Sequence, residues 1–226
     1  LGVYMKRKVL VQFLLVTLIC VLYTLLLKTV DIGYVVATGS TVGFSSVNIP
    51  FSERFGFNPV FYKISQVGGY VSFLVIGFFF VMGLYELIKN KSLKKVDGDL
   101  YALAITYVFT VILYIFFDKL LVINMRPFII PGESALESGF PSSHTLLAVV
   151  VYGTAIAECG KIKKREIRVA LTVLLGFSML LIVFSRLFSG VHWVTDIIGG
   201  ILWGEALMEL FQVFSFLLRK NRGKQA

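Results

Sequence analysis

Apolar residues run through this chain in long blocks rather than in the narrow stripe of a soluble helix. Six blocks reach or approach the roughly 20 residues needed to cross the hydrocarbon core of a bilayer: 9–27, 67–88, 100–121, 141–157, 169–184 and 192–218. They predict an all-α integral membrane protein, a six-transmembrane helix bundle forming one domain over residues 1–226. The last block is long enough to tilt or to continue beyond the bilayer. Residues 29–66 are rich in Gly, Ser, Phe and Asn and too interrupted to cross, and Pro50 and Pro59 are expected to break any long helix there. This segment is read as an extracytoplasmic cap with a short amphipathic helix over 59–65 lying at the interface. Two roles stay open for it: a lid or acyl-chain guide, or a packed connector.

A hydrophobic content of 57 % and a mean hydropathy of +0.85 exclude an ordinary soluble domain. The net charge of +9 suits a nucleic-acid binder in the abstract, but the positions of the cations explain it better and no nucleic-acid partner is expected. One set of alternate connections carries Lys6 to Lys8, Lys89 to Lys95, Lys161 to Arg168 and Arg219 to Lys224. The other set holds only Lys28, Arg54, Lys63, Lys119, Arg126 and Arg186. Cytoplasmic loops are the ones enriched in Lys and Arg, so both termini are expected in the cytoplasm of a multi-pass plasma-membrane protein. The short build and basic inner loops suit a bacterium. Met5 is read as the natural start, and the apolar run after Lys8 as a retained anchor rather than a cleaved signal. Cys20 and Cys159 fall in different spans, and no disulfide is expected.

The scarce polar groups gather at span ends on the less basic side. His192 and Asp196, four residues apart, share one face if a helix begins near Val191, so the carboxylate can orient the imidazole as a histidine nucleophile requires. The other histidine closes Phe140-Pro-Ser-Ser-His144, where Pro141 suits a first helical turn and Ser142 and Ser143 can satisfy free amides. Helix N-termini attract anions. With Lys119, Arg126 and Arg186 nearby, the set describes a pocket for a multiply charged oxyanion, and phosphate is the obvious candidate. Taken singly, each cation is a span-end anchor and each histidine a packing residue. A zinc site of His144, His192 and Asp196 competes, but three fixed cations would repel a divalent ion. Glu133 and Glu137 in the loop 132–139 either position a head group or are solvated. Gly199, Gly200 and Gly204 offer a close-packing face to the fourth span. Glu205 and Glu209 are expected to pair with cations on the cytoplasmic side.

These segments resemble the signature of the type 2 phosphatidic acid phosphatase (PAP2) family, whose core is similar to that of vanadium haloperoxidases. The family pattern is Lys, six residues, Arg-Pro; then Pro-Ser-Gly-His; then Ser-Arg, five residues, His, three residues, Asp. Lys119 to Arg126-Pro127 and Ser185-Arg186 to His192 to Asp196 keep this spacing, while Ser143 stands where the family has glycine and its Cβ narrows the pocket. The resemblance implies a metal-independent lipid phosphatase without a cofactor. His192 would attack phosphorus to form a phosphohistidine, Asp196 would hold its tautomer, and His144 would protonate the leaving oxygen and then activate water. Lys119, Arg126, Arg186, Ser142 and Ser143 would bind the phosphate. Undecaprenyl diphosphate, phosphatidylglycerol phosphate and phosphatidic acid are the substrate classes it suggests. A non-hydrolytic lipid-phosphate binding or transport protein, and a lipid phosphotransferase, are the competing readings.

Overall fold

The computed structural model describes residues 2–222, with side chains over 7–219. Lys6, Lys220, Arg222 and Lys224, counted above among the cations of one side, have side chains outside the described residues. Six helices traverse the molecule: α1 Gly2–Leu26, α3 Pro59–Asn90, α4 Gly98–Ile115, α5 Ser143–Cys159, α6 Arg165–Phe188 and α7 Val194–Arg222. A π-helical turn, Phe116–Leu120, prolongs α4. Five of these segments are long and apolar enough to cross a membrane, and α5 is a shorter apolar helix. The protein is a multi-pass membrane protein built as a six-helix bundle.

The cap differs from expectation in its details. Gly33–Val35 (β1) and Ser40–Val42 (β2) pair antiparallel, a small exception to an otherwise helical fold, and α2 spans Ser45–Phe55. Pro50 lies inside α2. No separate interfacial helix covers 59–65, because these residues are the first turns of α3. Pro59 starts that helix instead of breaking one: its fixed φ suits position N1, and the Asn58 side chain accepts from the amides of Val60 and Phe61.

The centre of the bundle is α5 and α7. Helix α7 packs on α1, α4 and α5, while α5 packs on α3, α6 and α7. Being surrounded by protein, α5 is buried along most of its length and can be short, since its neighbours rather than its own length meet the lipid. The glycines of α7 make the close approach. A Cβ on Gly200 would stand 2.8 Å from Thr145 Cβ, and one on Gly204 would stand 2.7 Å from Val149 Cβ. Large apolar side chains on α1, α3 and α6, such as Leu14, Phe73 and Phe177, point outward as a lipid-facing surface does.

At the end opposite the histidines, buried Asp99 accepts from Ser215 (2.6 Å) and pairs with Arg219 and Lys161. Burial works against the charge of Lys161, but its bonds to Asp99, Glu158 and Asp97 prevail and push its pKa up to about 12. The expectation for the α7 acids is not met among the described residues, which leave out the side chains of Lys6, Lys220, Arg222 and Lys224. Neither Glu205 nor Glu209 forms an ion pair among the described residues, because the α4 carboxylate and its neighbours take these cations.

Candidate active site

Three backbone segments meet at the other end: the 121–142 loop, the first turn of α5, and the turn 189–193 that leads into α7. The loop folds back on itself through an antiparallel bridge between Met125 and Ser138. Arg126 N–H donates to the Glu137 carbonyl (3.0 Å) and Gly139 N–H to that of Asn124 (2.8 Å). The Trp193 indole donates to the Met125 carbonyl (2.7 Å), and Ser142 N–H to the Asp196 carbonyl (3.0 Å), which fastens the loop to α7. Gly190 makes the approach from the cap possible. Its φ of 74° is left-handed, and a Cβ there would overlap the Gly56 carbonyl.

Helix α7 begins at Val194, so His192 sits in the turn before it rather than on its face as expected. Asp196, in the first turn, reaches back to accept from Trp193 N–H (3.0 Å), the acidic half of a capping box. That same Oδ2 lies 3.6 Å from His192 Nδ1, beyond hydrogen-bond length but within the slack that unliganded catalytic pairs show. Asp196 Oδ1 accepts from the Asn124 amide (3.1 Å). The turn is also held from the cap. Asn48 donates to Thr195 Oγ1 (2.8 Å) and accepts from Thr195 N–H (3.3 Å), while Tyr23 donates to the Thr195 carbonyl (2.9 Å).

Pro141 precedes α5 instead of lying in its first turn, and Ser142 occupies the N-cap without capping an amide. Its Oγ accepts from the Thr145 hydroxyl (3.0 Å), which competes for the oxygen that would otherwise turn toward the helix. No side chain therefore caps the first turn of α5, the site where an anion binds most readily.

The cations are placed differently from one another. Arg186 is fully buried, its guanidinium 5.5 Å from the Tyr62 ring centroid and 3.4 Å from Ser65 Oγ. Arg126 is bound to Glu137 (2.9 Å), whose side chain is half-exposed. Lys119 is at the rim, its side chain 74 % exposed and paired with Asp118 (2.8 Å).

Two cavities adjoin the histidines. A polar one of about 350 Å³ is lined by Lys119, Arg126, Ser143 and His192, with Glu137 and Tyr114. An apolar groove of about 590 Å³ runs between α3, α4 and α5, past Gly69, Phe73, Val111 and Leu147, and takes His144 into its wall. Ser143 and Tyr114 line both. Burial, together with the positive fields of Arg186, Arg126 and His144, holds the His192 pKa well below the usual 6.5, so this imidazole is neutral.

Buried polar atoms without a protein partner gather here. Of eleven among the described residues, seven belong to Arg126, Ser138, His144, Ser185, Arg186 and both nitrogens of His192. Such atoms are rare in folded proteins, and the two guanidinium groups among them are donors that call for an acceptor. No group of three or more His, Cys, Asp or Glu side chains among the described residues is arranged to hold a metal ion. Asn124, Asn48, Tyr62 and Ser65 were absent from the sequence-based set. Only Asn124 carried a signal, as a lone amide in the apolar run Leu120 to Met125.

Among solved structures, a PAP2-type phosphatidylglycerolphosphate phosphatase from Bacillus subtilis is similar at 17 % identity, with a TM-score of 0.46, over 79 % of this chain and 93 % of that one. LpxE of Aquifex aeolicus is similar at 20 % identity, also with a TM-score of 0.46, over 73 % of this chain and 94 % of that one. No curated protein matches. The sequence matches the PAP2 superfamily over residues 99–219, more than half of its 226 residues, and the chain therefore belongs to this superfamily.

Proposed function

We propose that this protein hydrolyses a lipid phosphomonoester or diphosphate, of the undecaprenyl diphosphate, phosphatidylglycerol phosphate or phosphatidic acid class, through a phosphohistidine on His192. The observation that carries this reading is the junction of the two cavities. Buried polar atoms without protein partners, on Arg126, Ser138 and His192, belong to the lining of a polar pocket, an apolar groove adjoins it, and one histidine belongs to each. A phosphate in the pocket and its lipid chain in the groove bring the bridging ester oxygen between them.

His192 then attacks phosphorus through Nε2, since Nδ1 faces Asp196. The bond from phosphorus to the leaving oxygen breaks as the new N–P bond forms, and the lipid departs. His144, in the groove wall, gives that oxygen its proton. Water next attacks the phosphohistidine, His144 takes the water's proton, and inorganic phosphate leaves. Asp196 stabilises the imidazolium that the attack generates. Arg126, Arg186, Lys119 at the rim and the first-turn amides of α5 from Ser143 onward hold the charge on the equatorial oxygens, while the Ser142 amide is given to the Asp196 carbonyl and Ser142 contributes through its place beside them; removing one such donor typically costs about 10²- to 10³-fold. A protein that only bound or moved a lipid phosphate would have no use for the nucleophile, acid and carboxylate arranged in this order.

The charge distribution supports cytoplasmic termini and an extracytoplasmic site in a bacterial plasma membrane. The test is phosphate release by purified protein from a panel of prenyl and glycerolipid phosphates with a chelator present. Release from at least one lipid phosphate is expected. Activity lost with the chelator and restored by zinc would replace this reading with a metal-dependent one.

A further inference from the structure

Asp196 is held by a residue outside the family's spaced motif positions. We infer that Asn124 is a positioning residue for the His192–Asp196 pair, its side-chain amide fixing the carboxylate so that Oδ2 faces His192 Nδ1. The inference rests on the hydrolase reading for its kinetic consequences, but its geometry stands apart from it.

Asn124 is buried and donates to Asp196 Oδ1 at 3.1 Å. Its own carbonyl accepts from Gly139 N–H at 2.8 Å, next to the Met125–Ser138 bridge. Arg126, two residues on, uses the same fold of the loop: its amide bonds the Glu137 carbonyl and its Nε approaches the Ser138 carbonyl at 3.4 Å. Asn124 is thus the link between the strand that carries a phosphate-facing arginine and the carboxylate that orients the other histidine. Gly139 leaves the room for this arrangement, since a Cβ there would stand 2.6 Å from Asp196 Oδ2.

A carboxylate can turn about its last bond, and a turn of Asp196 would carry Oδ2 away from His192. Two donors oppose that turn, Trp193 N–H on Oδ2 and Asn124 on Oδ1. The backbone donor cannot be removed by substitution, which leaves Asn124 as the removable half of the clamp. As a neutral donor it also favours the ionised carboxylate without adding a charge that would compete for the phosphate. The charged and titratable groups facing the pair are Tyr23 of α1, His144 of α5, Arg186 of α6 and Arg126 of the loop, with Tyr62 of α3 beyond Arg186, Tyr114 of α4 across the polar pocket and Glu137 beyond Arg126. No cation among them bonds Asp196, whose side-chain oxygens are held by Asn124 and Trp193 N–H.

Two variants separate positioning from bulk stability. Asn124→Ala removes the donor. It is expected to lower kcat about 10- to 100-fold, the rate equivalent of one hydrogen bond to a charged group, with KM on a dioctanoyl lipid phosphate within about twofold of wild type. Asn124→Asp keeps the shape, and two adjoining carboxyls then share one proton. While that proton is held, the new carboxyl donates in the amide's place. Its activity is therefore expected to be retained at acid pH and to fall as pH rises, unlike that of Asn124→Ala. A merely structural role would lower both variants alike at every pH.

The second readout needs no turnover. The chain has two histidines, so ¹⁵N-histidine labelling yields two rings, and His192→Gln assigns them. Wild-type His192 is expected to carry its proton on Nδ1, and Asn124→Ala to populate both tautomers while the His144 signals stay in place. An unchanged His192 ring in Asn124→Ala, or a kcat within twofold of wild type, overturns the inference. A wild-type protein inactive on every lipid phosphate, whose His192 ring still responds to Asn124→Ala, supports the positioning role and removes the hydrolase reading instead.

Discussion

Replacing Gly69 with alanine puts a single methyl group against the proposed acid. Gly69 lies on α3 where it passes α5, and a Cβ built there stands 3.0 Å from His144 Cδ2 and 3.1 Å from Nε2. Both are tighter than ordinary van der Waals contact, so the imidazole must retreat by a few tenths of an ångström. The backbone itself gains, because alanine is favoured over glycine inside a helix by about 1 kcal/mol. A misplacement of about 1 Å costs on the order of 100-fold in rate, so a shift of a few tenths predicts a loss of about 3- to 10-fold in kcat/KM for a lipid phosphate. The loss should depend on the leaving group. A lipid alkoxide needs the proton of His144, whereas the phenolate of an activated aryl phosphate leaves without one. The assay compares kcat/KM, which ends at loss of the leaving group and excludes the later attack of water that His144 also serves, for a lipid phosphate and for p-nitrophenyl phosphate in wild type and Gly69→Ala, with Tm in detergent as the folding control. An equal loss on both substrates, or none on the lipid, refutes the reasoning that His144 protonates the leaving oxygen.

Three further outcomes follow from the geometry. Ser143→Gly removes the Cβ and hydroxyl at the junction of pocket and groove, and should change the ranking of lipid phosphates in a release panel while leaving activity in place. Asp99→Asn should lower stability by about 1–3 kcal/mol, since a fully buried carboxylate loses its charge opposite partners that stay half-exposed and screened, and should leave KM unchanged because the site lies at the other end. The depressed pKa of His192 sets a sign for pH. The unfolded chain binds a proton as pH falls through about 6.5 and the native imidazole does not, so stability is present above that pH and is lost below it by up to about 1.4 kcal/mol per unit. Melting curves from pH 8 to 5 should show wild type losing Tm on acidification faster than His192→Gln.

The helices were legible because a bilayer imposes one requirement, a long apolar run, and six such runs stand out. The ends were less so. Pro59 was read as a breaker when Asn58 before it makes a helix start, and α3 consequently extends through residues assigned to the cap. Sequence spacing put His192 and Asp196 near one another, but the helix starts at Val194 because Asp196 caps it, which leaves His192 in the preceding turn. The contacts of Asn48 and Tyr23 with Thr195 join residues more than 140 positions apart, and no local pattern encodes them. Lys119 has motif spacing like Arg126, yet the π-helical turn leaves it at the rim beside Asp118. Spacing fixes which residues are available, and the fold of the intervening loop decides how deeply each is seated.

The central claim is that His192 carries the phosphoryl group between lipid and water. Mixing purified protein with a ³²P-labelled lipid phosphate, quenching in alkali within milliseconds and mapping the label by mass spectrometry tests it most directly. The account predicts an acid-labile, alkali-stable phosphate on His192, formed at the rate of lipid release, more abundant in a His144→Ala variant that cannot activate water when an aryl phosphate supplies the label, and absent from His192→Ala. Undiminished phosphate release by His192→Ala, or label on another residue, would contradict it.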